Sequence, residues 1–335
     1  MDGPPTVTTH ERLGIVVIGR NEGDRLRACL ESVCDGARAV VYVDSNSTDG
    51  SPALARGLGA HVVELDMSLP FSAGRARNAG FERLTQLAPG VEFVQFVDGD
   101  CEVVSTWLAA ALATFERAPD VAVVCGRRRE RHPDRSVYNG LCDIEWDSDV
   151  GEVEACGGDA MMRAAAFAAV GGFDATIVAG EEPELCIRLR QRGHRVLRIP
   201  EEMTLHDAAI YRFGQWWKRS VRSGHAYAEL AFLHGRSKER TGVRPTVSNL
   251  FWAVGVPVGS LALRLPGAPA TAIAAYGVLA FRIYREQLKS GRSPEQALRF
   301  AVFTTAGKFA ETVGAGRFVF GLLTGKRSRI IEYKV

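Results

Sequence analysis

The first 207 residues of this 335-residue chain contain no lysine. That stretch can therefore carry neither a P-loop lysine nor a Schiff-base lysine. Its seven cysteines, at 29, 34, 101, 125, 142, 156 and 186, are odd in number and include no C-x-x-C pair. Neither a disulfide framework nor a zinc ribbon is indicated, and a reducing, cytosolic compartment is expected. The first apolar run, Gly14–Gly19, has six residues. It is too short for a signal-peptide core, so export through this end is not expected. No clean run of about 20 apolar residues is present, which disfavours one straight membrane span. With 46% hydrophobic and 24% charged residues, disorder is excluded too, and the length suits two domains or one large α/β domain with an appendage.

Charge is segregated along the chain. Residues 1–207 hold 21 Arg and 33 acids, a net of −12, while residues 208–335 hold 20 basic residues and 6 Glu, a net of +14. An acidic body suits metal ions, and a basic tail suits anionic surfaces. From residue 14 to about 125, β-branched runs alternate with amphipathic stretches, the pattern of parallel βαβ units. Strands are predicted at Ile15–Ile18, Ala39–Val43, His61–Leu65, Glu92–Val97 and Val121–Cys125. Helices are predicted over Asp24–Cys34, from Ser51-Pro52 to Gly59, and at 73–86, 105–117 and 210–233, with a charged arm at 127–135. In such a sheet the ligand is expected at the carboxyl ends of the strands.

The candidate chemistry lies at those ends. The first strand runs into Gly19-Arg20-Asn21-Glu22-Gly23, which lacks G-x-G-x-x-G and disfavours a dinucleotide enzyme. The second ends in Asp44 and a polar loop to Asp49-Gly50; Asp44 can accept hydrogen bonds from a base or ribose, whereas Asp49 reads equally well as a cap for the helix at Ser51. The fourth ends in Asp98-Gly99-Asp100. Residues two apart in extended chain face one side, so both carboxylates can meet one ligand, and oxygen donors of this kind suit Mg²⁺ or Mn²⁺. As a bare turn after a strand, the same three residues would be unremarkable. Glu181-Glu182-Pro183-Glu184 opens a helix that closes at Arg190-Gln191-Arg192-Gly193. Capping explains the proline and the charge polarity, and one of the three glutamates is left as a candidate general base. His206 is a lone histidine that imidazole chemistry allows as an Mn²⁺ ligand.

Taken in order, Asn21-Glu22, Asp44 with Asp49-Gly50, Arg75-x-Arg77-Asn78-x-Gly80, Asp98-x-Asp100, Gly171-Gly172-Phe173-Asp174, Gly180-Glu181-Glu182-x-Glu184-Leu185 and His206 resemble family 2 glycosyltransferases over about residues 13–230. The resemblance implies a GT-A fold: an α/β, Rossmann-like, mostly parallel sheet flanked by helices. It implies that Asn21, Glu22, Asp44, Arg77 and Asp98 bind a nucleoside-diphosphate-sugar, that Asp100 and His206 hold a divalent cation, and that Glu182 is the catalytic base of an inverting transfer of one sugar to a hydroxyl. Two departures stand out. The family's base is usually Asp, and Gly157-Gly158-Asp159 stands where an Asn is common, which leaves the role of Asp159 open. The Gln-x-x-Arg-Trp signature of processive synthases is poorly matched by Gln215-Trp216-Trp217-Lys218-Arg219, so a polymer is not expected.

The expected organisation is a flexible N-terminus over 1–12, a catalytic domain over 13–235, and a basic, helical, partly hydrophobic C-terminal region over 236–335. Within the last, the uncharged runs 245–263 and 265–281 flank Arg264 and are interrupted by Gly255, Pro257, Pro266 and Pro269. With basic residues on both sides, the segment 245–281 reads as a membrane hairpin, shallow or just spanning, that keeps both flanks and the catalytic domain on the cytoplasmic side; helices packed on the body are the competing reading. The acceptor is expected to be a glycan or lipid-linked. The rival function is a non-catalytic, membrane-associated nucleotide-sugar binder. Nucleic acid is not an expected partner, because Arg127-Arg128-Arg129 lacks interleaved aromatics.

Overall fold

A computed structural model describes residues 9–262 and 268–325. The chain divides into two compact units: one holds the residues up to Arg131 with Trp146–Ile177 and Glu181–Ala208, the other His132–Glu145, Val178–Gly180 and the residues from Ala209 on.

The first unit is built on nine strands: β1 Leu13–Gly19, β2 Ala39–Asp44, β3 His61–Glu64, β4 Phe93–Asp98, β5 Cys101–Val103, β6 Val121–Glu130, β7 Gly151–Glu152, β8 Ala160–Arg163 and β9 Arg195–His206. The order across the sheet is β3-β2-β1-β4-β8-β6-β9-β5, with β7 beside β9. β1 pairs in parallel with β2 and β4, β2 with β3, and β6 with β9, while β8 is antiparallel to both β4 and β6. β1 and β4 are apolar and buried almost throughout, as strands covered on both faces must be. The fold is the expected mixed, mostly parallel sheet flanked by helices.

Helices follow the expected pattern at Asp24–Glu31, Ser51–Gly57, Ala73–Leu87 and Trp107–Arg117. Thr9–Arg12 forms one helical turn ahead of β1, and Arg12 pairs with Glu92 at 3.0 Å and Glu116 at 2.9 Å. The first eight residues of the tail expected to be flexible lie outside the described residues.

Two segments differ from expectation. The charged arm at 127–135 is, up to Glu130, the second half of β6. The stretch before Asp207 is a 12-residue strand that includes Pro200. Proline and charge both argue against a strand in sequence. Here the register between β6 and β9 shifts at Cys125–Arg127, opposite Arg198–Glu202, so Pro200 lies where the ladder is already irregular. β9 thereby reaches His206, which pairs with Cys101 of β5.

The second unit is helical: Val137–Glu145, Phe213–His234, Val243–Leu250, a wide π turn at Phe251–Gly255, Val256–Ala262, Ala268–Lys289 and Pro294–Thr324. Pro257 has no N–H to offer the carbonyl four residues back, and the helix widens just before it. The Tyr276 hydroxyl satisfies the Trp252 carbonyl at 2.8 Å. Phe213–His234 and Pro294–Thr324 pack backbone to backbone. A Cβ on Gly224 would lie 1.9 Å from the Glu311 carbonyl oxygen, and one on Gly314 2.0 Å from that of Val221. Among the described residues, no helix is long and apolar enough to cross a membrane. A spanning hairpin at 245–281 therefore lacks support, and residues 263–267 of that segment lie outside the described residues.

Candidate active site

The carboxyl ends of β1, β2 and β4 carry the loops on which the candidate donor residues lie. Asn21 adopts a left-handed backbone, φ 56°, at the end of β1. Its N–H donates to Ser47 Oγ at 2.9 Å, and its side-chain oxygen accepts the Thr48 N–H at 2.7 Å. Asn21 thus ties the β1 loop to the β2 loop. Asp49 adds a second tie: Oδ2 accepts the Gly23 N–H at 3.0 Å, while Oδ1 caps Ser51. Glu22 pairs with Arg25 at 2.8 Å. Buried Asp44 accepts the Tyr42 hydroxyl at 2.9 Å and the Ser47 N–H at 2.8 Å, which fixes its carboxylate at the strand end.

Arg77, on the helix Ala73–Leu87, is almost fully buried and is doubly paired: Nη2 with Asp98 Oδ1 at 2.7 Å and Nη1 with Glu181 Oε1 at 2.6 Å. It braces the Asp98 loop against the helix Glu181–Gln191. The Gly158 backbone runs alongside; a Cβ there would fall 2.4 Å from Arg77 Nη2, so a larger residue would have to displace the paired guanidinium. Asn78 holds Phe173 by both its N–H and its carbonyl, at 2.9 and 2.8 Å. The Arg77-Asn78 and Gly171-Gly172-Phe173-Asp174 motifs are therefore two halves of one contact.

Burial pushes the Asp98 carboxyl up from its ordinary range, with Arg77 opposing. Asp100 and His206 meet at the ends of β4 and β9, Oδ2 to Nε2 at 3.1 Å, and both are buried. The Cys101 thiol lies 3.6 Å from Asp100 Oδ1. Ligand atoms of Asp100, Cys101 and His206 fall within 4.8 Å of one another. A carboxylate and an imidazole are donors that suit Mn²⁺, and the chemistry of the set fits a divalent cation.

The three glutamates at the start of the helix Glu181–Gln191 are sorted by their partners. Glu181 pairs with Arg77, and Glu184 takes Arg188 in a fork, Nε to Oε1 at 2.9 Å and Nη2 to Oε2 at 2.6 Å. Glu182 meets neutral donors instead: the N–H groups of Cys156 and Gly157, both at 2.8 Å, and the Cys186 thiol at 2.9 Å. Burial pushes its carboxyl up, and these donors only partly offset that. A carboxylate without an arginine, held above its usual range, has the chemistry of a general base.

Asp159, Arg128 and Trp146 were missed as contributors. Asp159 is fully buried; Oδ1 accepts the Asp98 N–H at 3.0 Å, and Oδ2 accepts the Thr204 hydroxyl and faces Arg128 Nε, both at 3.1 Å. Burial disfavours its charge, but Arg128, His206 and the Asp98 N–H prevail and hold the carboxyl below its ordinary range. The Arg128 guanidinium lies 5.6 Å from the Trp146 ring centre, and Trp146 lies 4.6 Å from the His206 ring. The only signal in sequence was the aspartate in place of Asn.

A sheet of this order, with acidic and imidazole side chains at its carboxyl ends, defines the GT-A class of glycosyltransferase. The model of the family described as Glycosyl transferase family 2 matches residues 14–167. It is 29% identical over 247 residues to the pre-mycofactocin glycosyltransferase of Mycobacterium tuberculosis, covering 69% of this chain and 50% of that protein. The chain thus spans about half the length of the curated relatives it matches. Among solved structures it resembles a mannosyltransferase of Pyrobaculum calidifontis in complex with GDP-Man and Mn²⁺, at TM-score 0.60 and 19% identity over 95% of this chain and 91% of the other. A mycobacterial protein structure follows at TM-score 0.50 and 16% identity, covering 70% and 80%. The non-catalytic binder draws no support from these likenesses.

Proposed function

We propose that the chain transfers a single sugar from a nucleoside-diphosphate-sugar to an acceptor hydroxyl with inversion. Glu182 takes the hydroxyl proton as the acceptor oxygen bonds to the anomeric carbon. The bond from that carbon to the diphosphate breaks on the opposite face, and the electron pair leaves with the diphosphate. The proton on Glu182 then passes to water. Asp100 and His206 would hold a divalent cation, Mn²⁺ or Mg²⁺, which when bound offsets charge on a diphosphate. Asp44 and Asp98 offer carboxylates to the donor's base and ribose, while Asn21, Glu22 and Arg77 hold the loops that carry them.

The observation that carries this reading is the contact of Asp100 with His206 at the strand ends. UDP-, GDP- and dTDP-sugars, screened for Mn²⁺-dependent hydrolysis and thermal stabilisation, test it. One donor should stabilise the protein only with metal, and Asp100→Asn should abolish that effect. Stabilisation that is independent of metal and unchanged by Asp100→Asn overturns it.

The proposal extends to a protein that lies on the cytoplasmic face of a membrane and serves a glycan or lipid-linked acceptor. Support comes from the surface of the helical unit. Phe232, Leu261, Ile273, Val278, Phe320 and Leu323 are each 60–82% exposed, whereas the sheet-bearing unit exposes only Met67, Leu69 and Val150 among its described large apolar side chains. Apolar faces with flanking Arg236, Lys238, Arg282 and Arg285 suit attachment to anionic head groups in the plane of the surface. Co-sedimentation with anionic vesicles, lost at high salt or with zwitterionic lipid, is the expected result. Equal recovery in the supernatant with every lipid overturns this extension and leaves the transferase reading intact.

A further inference from the structure

Asp100 lies in the turn from β4 to β5, and the β5–β9 ladder brings its backbone beside His206: Cys101 pairs with His206, and the Asp207 N–H donates to the Asp100 carbonyl at 3.2 Å. The ladder sets the two backbones, and Asp159 adds a side-chain tie to the segments that precede each ligand. Its Oδ1 takes the N–H of Asp98, two residues before Asp100, and its Oδ2 takes the hydroxyl of Thr204, two residues before His206. Thr204 and His206 are two apart in β9 and share a side, while Asp98 opens the turn that carries Asp100, so the two bonds fix the backbone from which each ligand side chain projects. Arg128 continues the tie, pairing with Asp159 at one end and lying over Trp146, which packs on the His206 ring.

Resting on the reading of Asp100 and His206 as cation ligands, we propose that Asp159 is a positioning residue that sets the spacing of those two side chains, with Arg128 and Thr204 holding it in place. Its chemistry makes the role specific. An asparagine would keep an acceptor for the Asp98 N–H, but it would face Arg128 with no charge. Arg128 would then be free to pair with the Asp98 and Asp100 carboxylates and compete with the cation. Thr204→Val removes one bond at nearly constant volume and charge, and so reports on geometry alone.

The test is titration of the full chain with Mn²⁺ alone, the free ion being followed by electron paramagnetic resonance. Asp159→Asn should weaken Mn²⁺ binding roughly 10- to 100-fold, the range typical of groups that orient metal ligands. Thr204→Val should weaken it less, with its unfolding temperature close to that of the parent. Unchanged Mn²⁺ affinity in both variants, alongside loss of binding in Asp100→Asn, overturns the positioning role but not the site. A parent that binds no Mn²⁺, or an Asp100→Asn variant that binds it normally, overturns the site and this inference with it.

Discussion

Arg77 Nη2 lies 2.7 Å from Asp98 Oδ1, with the arginine side chain 3% exposed. Because Glu181 takes the other arm of the guanidinium, one buried cation serves two carboxylates from different elements. Arg77→Gln removes that cation from between the two acids. A loss of about 3–5 kcal/mol in stability is expected, measured by urea unfolding. A loss below about 1 kcal/mol would mean that water reaches the pair freely.

Glu182→Gln should bind donor as the parent does and transfer sugar roughly 10²- to 10⁴-fold more slowly. Because burial raises the Glu182 carboxyl above its usual range, the base becomes protonated at a higher pH than an ordinary glutamate. The acid limb of kcat/KM should therefore lie above the usual glutamate range. Cys186→Ala, which removes a thiol donor from Oε1, should move that limb higher still. A limb that stays put in Cys186→Ala, or normal turnover by Glu182→Gln, removes Glu182 from the role.

Glu311 in the helical unit is held up to about 7, chiefly by burial, with Lys308 opposing and Glu145 adding to the rise. The folded state binds this proton more tightly than the unfolded chain does. Its contribution is thus complete below the ordinary glutamate range and is lost as pH rises toward 7. Glu311→Gln should flatten this fall and gain up to roughly 3 kcal/mol over the parent at pH 8. Denaturant midpoints from pH 4 to 8 check this, and parallel pH curves for the two proteins would refute it.

Gly224→Ala tests the backbone contact of the helices Phe213–His234 and Pro294–Thr324. The added methyl would meet the Glu311 carbonyl, which cannot turn aside as a side chain could. A cost of about 1–3 kcal/mol is expected. Gly316, on the helix Pro294–Thr324 with nothing within 4 Å of a Cβ, is the control, and Ala there should stabilise by about 0.5–1 kcal/mol. Thermal melts of both variants decide the matter; equal effects would mean the helices are not so close.

Much of the fold was legible because its signals are local. The run Leu13–Gly19 has only one way to hide seven apolar or small residues, as a central parallel strand, and Pro52 and Gly59 mark the ends of the second helix of the sheet unit. β9 was not legible, since Pro200 and four charged residues between 195 and 202 oppose a strand that pairing with β5, β6 and β7 stabilises. The second half of β6 was hidden for the same reason: Arg127–Arg129 look like solvent-exposed charge until Asp147, Asp159 and Glu202 are brought beside them.

The sequence by itself determined the class of sheet, the acidic strand ends, and the set of residues from which a donor and cation site could be made. Residue chemistry alone left three glutamates as candidate bases, of which the family resemblance singled out Glu182, and it left Asp159 without a role, because a side chain's chemistry depends on partners far along the chain. Tertiary structure separated them. Arg77 and Arg188 neutralise Glu181 and Glu184, neutral donors surround Glu182, and Asp159 joins strands 61 and 45 residues away. Charge and hydrogen bonding act through space over a few ångströms, and only the fold decides which residues come that close.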